Sequence, residues 1–190
     1  MARIVLPDAV SLLITRVDIY LDYSRQVSRP SEWNTRRVLI DRDYPEWVGN
    51  VTIGHPIDDD EALEVSGWMA RFGGQANTFM LDHRVPTLED GVSATVTGTA
   101  MRADGVRTHT LSGALAGAKV GMLVAAADKV YSIGEISGST VVLDPQRTLP
   151  NGTTVGPSTT IEVRNDSSIH PSNPHDKSFW GPWVVSFVEA

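Results

Sequence analysis

Cysteine is absent from the 190 residues, and lysine occurs only at Lys119, Lys129 and Lys177. The first absence excludes disulfides and thiolate metal sites. The second, together with a formal net charge of -7, leaves no basic run able to neutralise phosphates, so nucleic acid is not an expected partner. No stretch approaches eighteen consecutive apolar residues, so no membrane-spanning helix is expected. The short apolar run Ile4-Val5-Leu6 is broken by Pro7 and Asp8 and makes a poor signal peptide. Catalytic signatures are missing as well. There is no Gly-rich phosphate loop, no Gly-x-Ser-x-Gly elbow and no His-Glu-x-x-His. No enzyme, cofactor or metal centre is therefore expected. His170 and His175 with Asp176 read as a solvated loop, and His55 and His83 as turn residues flanking a helix-strand unit.

What the chain does have is a hydrophobic content of 41%, enough for a core, arranged mostly in strand periodicity. Asp58-Asp59-Asp60-Glu61 reads as a helix start, with Asp58 capping and Glu61 bonding back. A hard cation at this acidic run is the less favoured reading, because the spaced ligands and sharp-turn glycine of a calcium loop are missing. Ala62, Val65, Trp68, Met69 and Phe72 follow at i, i+3, i+4 spacing and form one apolar stripe. Gly73-Gly74 ends the helix, and Asn77 to Leu81 has the content of a strand. Before it, alternation predicts strands over 16–23, 37–40 and 47–53. The pattern implies an α+β unit with one short helix packed on a sheet.

After Asp82 aromatics thin out. Candidate strands follow over 92–97, 107–111, 121–126, 129–133, 140–143 and 159–163, separated by Gly-containing turns. Short strands at this spacing predict a small β-barrel or sandwich. Aromatic alternation returns at Trp183, Val185 and Phe187. The expected organisation is thus one domain built from residues 1–90 and 165–190, with 91–164 as an inserted small β domain. Trp47, Trp68 and Trp183 fall on inward phases. Trp33 and Trp180 do not, and Leu63 lies off the helix stripe, so these three are candidates for an interface.

Tyr44-Pro45-Glu46-Trp47, then Gly67-Trp68-Met69-Ala70-Arg71-Phe72 and the run from Gly73 to Leu81, resemble tail-tip proteins of long-tailed bacteriophages, the distal tail proteins among them. The closing strand from Trp183 to Glu189 shares the resemblance. It implies a structural virion protein, made in the host cytoplasm and located at the tail tip. It further implies a hexameric ring formed by a β-sandwich belt domain with a helix, joining the tail tube protein to hub, baseplate or fibre proteins. An outward galectin-like or OB-like domain would occupy the inserted segment. A ring needs a heterologous contact. Arg25, Arg29, Arg36 and Arg37 are candidates to meet Asp58, Asp59, Asp60 and Glu61 of a neighbour, since arginine pairs bidentately with carboxylates. The alternative reading is a carbohydrate-binding adhesin module, against which the absence of tryptophan from 91–164 weighs.

Overall fold

The computed structural model describes residues 2–22, 26–27, 39–40, 45–72, 77–165 and 182–190. In chain order these form β1 (Ala2–Arg3), α1 (Asp8–Leu13), β2 (Ile14–Asp22), β3 (Gln26–Val27), β4 (Leu39–Ile40), β5 (Glu46–Ile53), α2 (Asp59–Phe72) and β6 (Asn77–Asp82). Then come β7 (Ala94–Met101), β8 (Arg107–Leu111), β9 (Leu123–Ala126), β10 (Lys129–Ser137), β11 (Thr140–Asp144), β12 (Thr154–Pro157), β13 (Thr160–Asn165) and β14 (Trp183–Glu189). The protein is mainly β, with α2 as its long helix: a six-stranded sheet in the order β1-β6-β13-β14-β5-β2, and a closed barrel in the order β10-β11-β8-β7-β12-β9. β3 and β4 pair separately.

Period-two alternation sets the faces of the sheet. Trp47, Val51 and Ile53 of β5 are buried, and their register partners Val185 and Trp183 of β14 are buried with them. β2 continues the same face with Val17, Ile19 and Leu21, and β13 and β6 extend it with Ile161, Val163, Phe79 and Leu81. On α2, Ala62, Val65 and Trp68 are buried and Met69 is packed against the core. The Trp68 ring meets Phe79 of β6 edge-on, centroids 5.2 Å apart at 84°, the arrangement favoured by the aromatic quadrupole. Cross-strand pairing places Gly49 between Ile19 and Phe187. A Cβ there would stand 1.9 Å from the Asp18 carbonyl oxygen and 2.7 Å from Phe187 Cζ, so only glycine lets the strands meet.

α1 was not anticipated. Six residues after Pro7 are too few to display a helical period, yet Val10 is fully buried beneath the helical layer. The strand over 160–165 also departs from expectation. It belongs to the sheet, between β6 and β14, and not to the inserted segment as the 164/165 boundary had it.

The barrel core consists of Ala94, Val96, Leu111, Val124, Ala126, Tyr131, Ile133, Val141, Leu143 and Val155, with Leu88, Leu115 and Leu149 plugging it from loops. Ala127 and Asp128 both have positive φ, 49° and 61°, and close β9 onto β10 as a two-residue hairpin. Mirror-type turns of this kind match the strand twist. β12 completes the closure by pairing with both β7 and β9. Its sequence Thr-Val-Gly-Pro carries the residues of a turn, which is why it was not read as a strand.

Candidate functional site

The chain passes between sheet and barrel twice, through 83–93 after β6 and through Ser158-Thr159 before β13. Both crossings leave the same point of the sheet, because Asp82 and Thr160 are register partners. They are stitched together there. The His83 N–H donates to the Thr159 carbonyl at 3.3 Å, and the Ser158 N–H to Thr87 Oγ1 at 2.7 Å. The Thr87 hydroxyl in turn donates to the Leu123 carbonyl at 2.6 Å, and the Leu123 N–H to Pro86 O at 2.9 Å. Arg84, at φ 55°, reaches from the same crossing to the Ile14 carbonyl with its guanidinium at 2.9 Å.

His83 lies in the connection just after β6, and it is buried there, 1% exposed, which its reading as a turn residue did not anticipate. Its Nδ1 accepts the Val85 N–H at 3.1 Å. That bond fixes the neutral tautomer with the proton on Nε2, and Nε2 is buried without a hydrogen-bond partner. Burial is the largest influence on the ring and lowers its pKa from the usual 6.5. The Ser158 carbonyl beside it and Asp82 act the other way. His109 of β8 is the barrel's counterpart, with Nδ1 3.0 Å from Thr99 Oγ1. The Thr99 hydroxyl spends its hydrogen on the Leu149 carbonyl, so His109 Nδ1 is the donor and the opposite tautomer results. Burial lowers its pKa too.

A second attachment lies one strand away, where the C-terminal end of β14 runs beside the start of β13. Glu189 of β14 projects a carboxylate only 5% exposed toward two barrel cations, Lys129 Nζ at 3.6 Å and Arg147 Nη2 at 3.9 Å. Lys129 Nζ also donates to the Ala190 carbonyl, and the Trp47 indole donates to the Val130 carbonyl at 2.8 Å. Leu123 and Val130 of the barrel pack into the core of the sheet. These partners lie far apart in sequence, 61 residues for Lys129 and Ala190, so no local pattern signals them.

Between the attachments runs a groove of about 530 Å³. Arg3, Glu162 and Met80 line its sheet side, and Asp128, Lys129 and Pro157 its barrel side. Arg3 and Glu162 are paired along its sheet side at 2.9 Å, and this bond, reinforced by the Thr78 hydroxyl, holds the Glu162 carboxyl below its usual range. Among the described residues no aromatic ring lines the groove, so these offer a sugar no stacking face.

Of the interface candidates, Asp58 caps α2 by accepting the Glu61 N–H at 2.9 Å, and Glu61 reaches back to the Ile57 N–H at 2.8 Å. Local bonds therefore account for these two carboxylates, while Asp59 and Asp60 are exposed beside them and favour the positive end of the helix dipole. Leu63 is 59% exposed on the solvent side of α2. Trp33, Arg36, Arg37 and Trp180 lie outside the described residues, as do Arg25, Arg29, His170 and His175. Among the described residues no group of three or more metal-ligating side chains comes together, and no helix is long and apolar enough to cross a membrane. No family model and no curated protein matches the chain.

Proposed function

We propose that the protein is a structural subunit of the tail tip of a long-tailed bacteriophage, assembling through its sheet-and-helix unit into a ring that joins the tail tube to hub or fibre proteins. The observation that carries this reading is the pairing of β14 with β5. The two separated stretches that resemble distal tail proteins, around 44–81 and 183–189, are neighbours in one sheet, with α2 packed over it. The barrel then takes the place of an appended outer domain. Exposed Leu63, Asp59 and Asp60 on α2 offer an apolar and acidic contact for the next subunit, which in a ring meets them with a different surface.

Light scattering combined with negative-stain imaging tests the proposal. Closed rings of uniform size are expected, and antibody labelling of phage particles should mark the tail tip. Monomers at high concentration that shift on a glycan column would favour an adhesin instead. Labelling confined to another part of the particle would refute the tail-tip assignment.

A further inference from the structure

We infer that the double crossing at His83 is an acid-sensitive hinge: protonating this imidazole unlocks the barrel from the sheet at one attachment while both units remain folded. The inference rests on where His83 sits and what its ring does, and it is independent of the tail-tip reading. The imidazole stands where both connections leave the sheet, inside the bonds among His83, Thr87, Ser158, Thr159 and Leu123 that hold the crossings together. In its neutral form Nδ1 is an acceptor for Val85 N–H. The charged ring carries hydrogens on both nitrogens, so Nδ1–H would face Val85 N–H, donor against donor, and that bond must break. The second proton also places a full charge in a site where Nε2 already lacks a partner.

Two groups favour the charged ring, the uncharged Ser158 carbonyl and Asp82, and burial outweighs both. Asp82 on the same strand is the charged group favouring the imidazolium, and it is exposed and engaged with the Arg84 N–H at 2.9 Å. Arg84 turns its guanidinium to Ile14. The facing segments, Val85 to Leu88, Leu123 and Pro157 to Thr160, contain no ionisable side chain. At the other attachment Glu189 keeps Lys129 and Arg147, so the barrel pivots there and does not come away.

The sign follows from linkage. A histidine with a folded pKa below its unfolded value of 6.5 stabilises the closed arrangement fully above that pH and loses the contribution as pH falls through the depressed value. His109 behaves alike inside the barrel and must be separated from it.

The experiment is hydrogen exchange by NMR on the whole chain, expressed as protection factors to remove the intrinsic pH dependence, while the His83 ring is titrated through its own resonance. As His83 charges, the amides of Val85, Leu123 and Ser158 should lose protection at least tenfold, while Val51 in the sheet and Ile133 in the barrel keep theirs. His83→Asn places an oxygen where Nδ1 stood and cannot charge, so it should abolish the response; His109→Gln should leave it intact. Simultaneous loss at all five amides, unchanged junction amides over a charged His83, or a response that survives in His83→Asn would each overturn the hinge.

Discussion

At Gly49 a single missing carbon decides whether two strands can meet. Its added Cβ would collide with the backbone of Asp18, which cannot swing aside as a side chain can. Gly49→Ala should therefore cost about 3 kcal/mol, the upper range for overpacking, read as a lowered denaturant midpoint. Gly67 on the exposed side of α2 is the contrasting case, since an added Cβ there meets nothing within 4 Å. Gly67→Ala should stabilise by about 0.5–1 kcal/mol through helix propensity alone. Equal effects at the two sites would mean that strand approach is not what Gly49 serves. The sequence placed Gly49 on the inward phase with Trp47 and Val51, but the reason for a glycine lies in β2 and β14, which alternation on β5 cannot reveal. His83 was hidden in the same way. Nothing beside it in the chain marks it as buried, and its surroundings come from Ser158 and Thr159.

At the scale of the element, α2 was legible because several independent signals agreed. An acidic start, a capping pair and an apolar stripe all pointed to one helix; Asp58 caps the Glu61 N–H as expected, while Glu61 reaches one residue further back than a capping box, to the Ile57 N–H. Trp68 is the stripe's anchor on Phe79. Trp68→Ala should cost about 3–5 kcal/mol, the usual penalty for emptying an aromatic core site. A melting temperature unchanged by that substitution would mean that the helix does not seal the sheet. The companion stripe residue Phe72 has a side chain outside the described residues. Elements were legible where both faces differed, as in strands β5 and β14, and illegible where the pattern was short or broken, as in helix α1 and strand β12. β13 shows a different failure. Its strand was recognised around the right residues, but Thr-Ile-Glu-Val carries no aromatic and matches the texture of the barrel strands. Partner choice is a non-local property, and composition assigned it to the wrong neighbours.

The whole molecule turns on that strand. Removing 91–164, the expected insertion, would take β13 from between β6 and β14 and split the sheet. Replacing 84–158 by Asn-Gly keeps β13 and joins His83 to Thr159 as a two-residue hairpin, in the register those residues already hold. The second protein should unfold cooperatively, with lower stability because Leu123 and Val130 leave the core and the Trp47 indole loses its acceptor. The first should have no cooperative transition. A structureless 84–158 excision would show that the sheet depends on the barrel to fold. Because both crossings leave from Asp82 and Thr160, one β-pair apart, the sheet sees the same short gap whatever fills it, and the closure entropy of the intervening chain is met within the guest domain. A guest of another length between His83 and Thr159 would thus leave the register of the host sheet unchanged, provided it still covers Trp47 and supplies cations to Glu189.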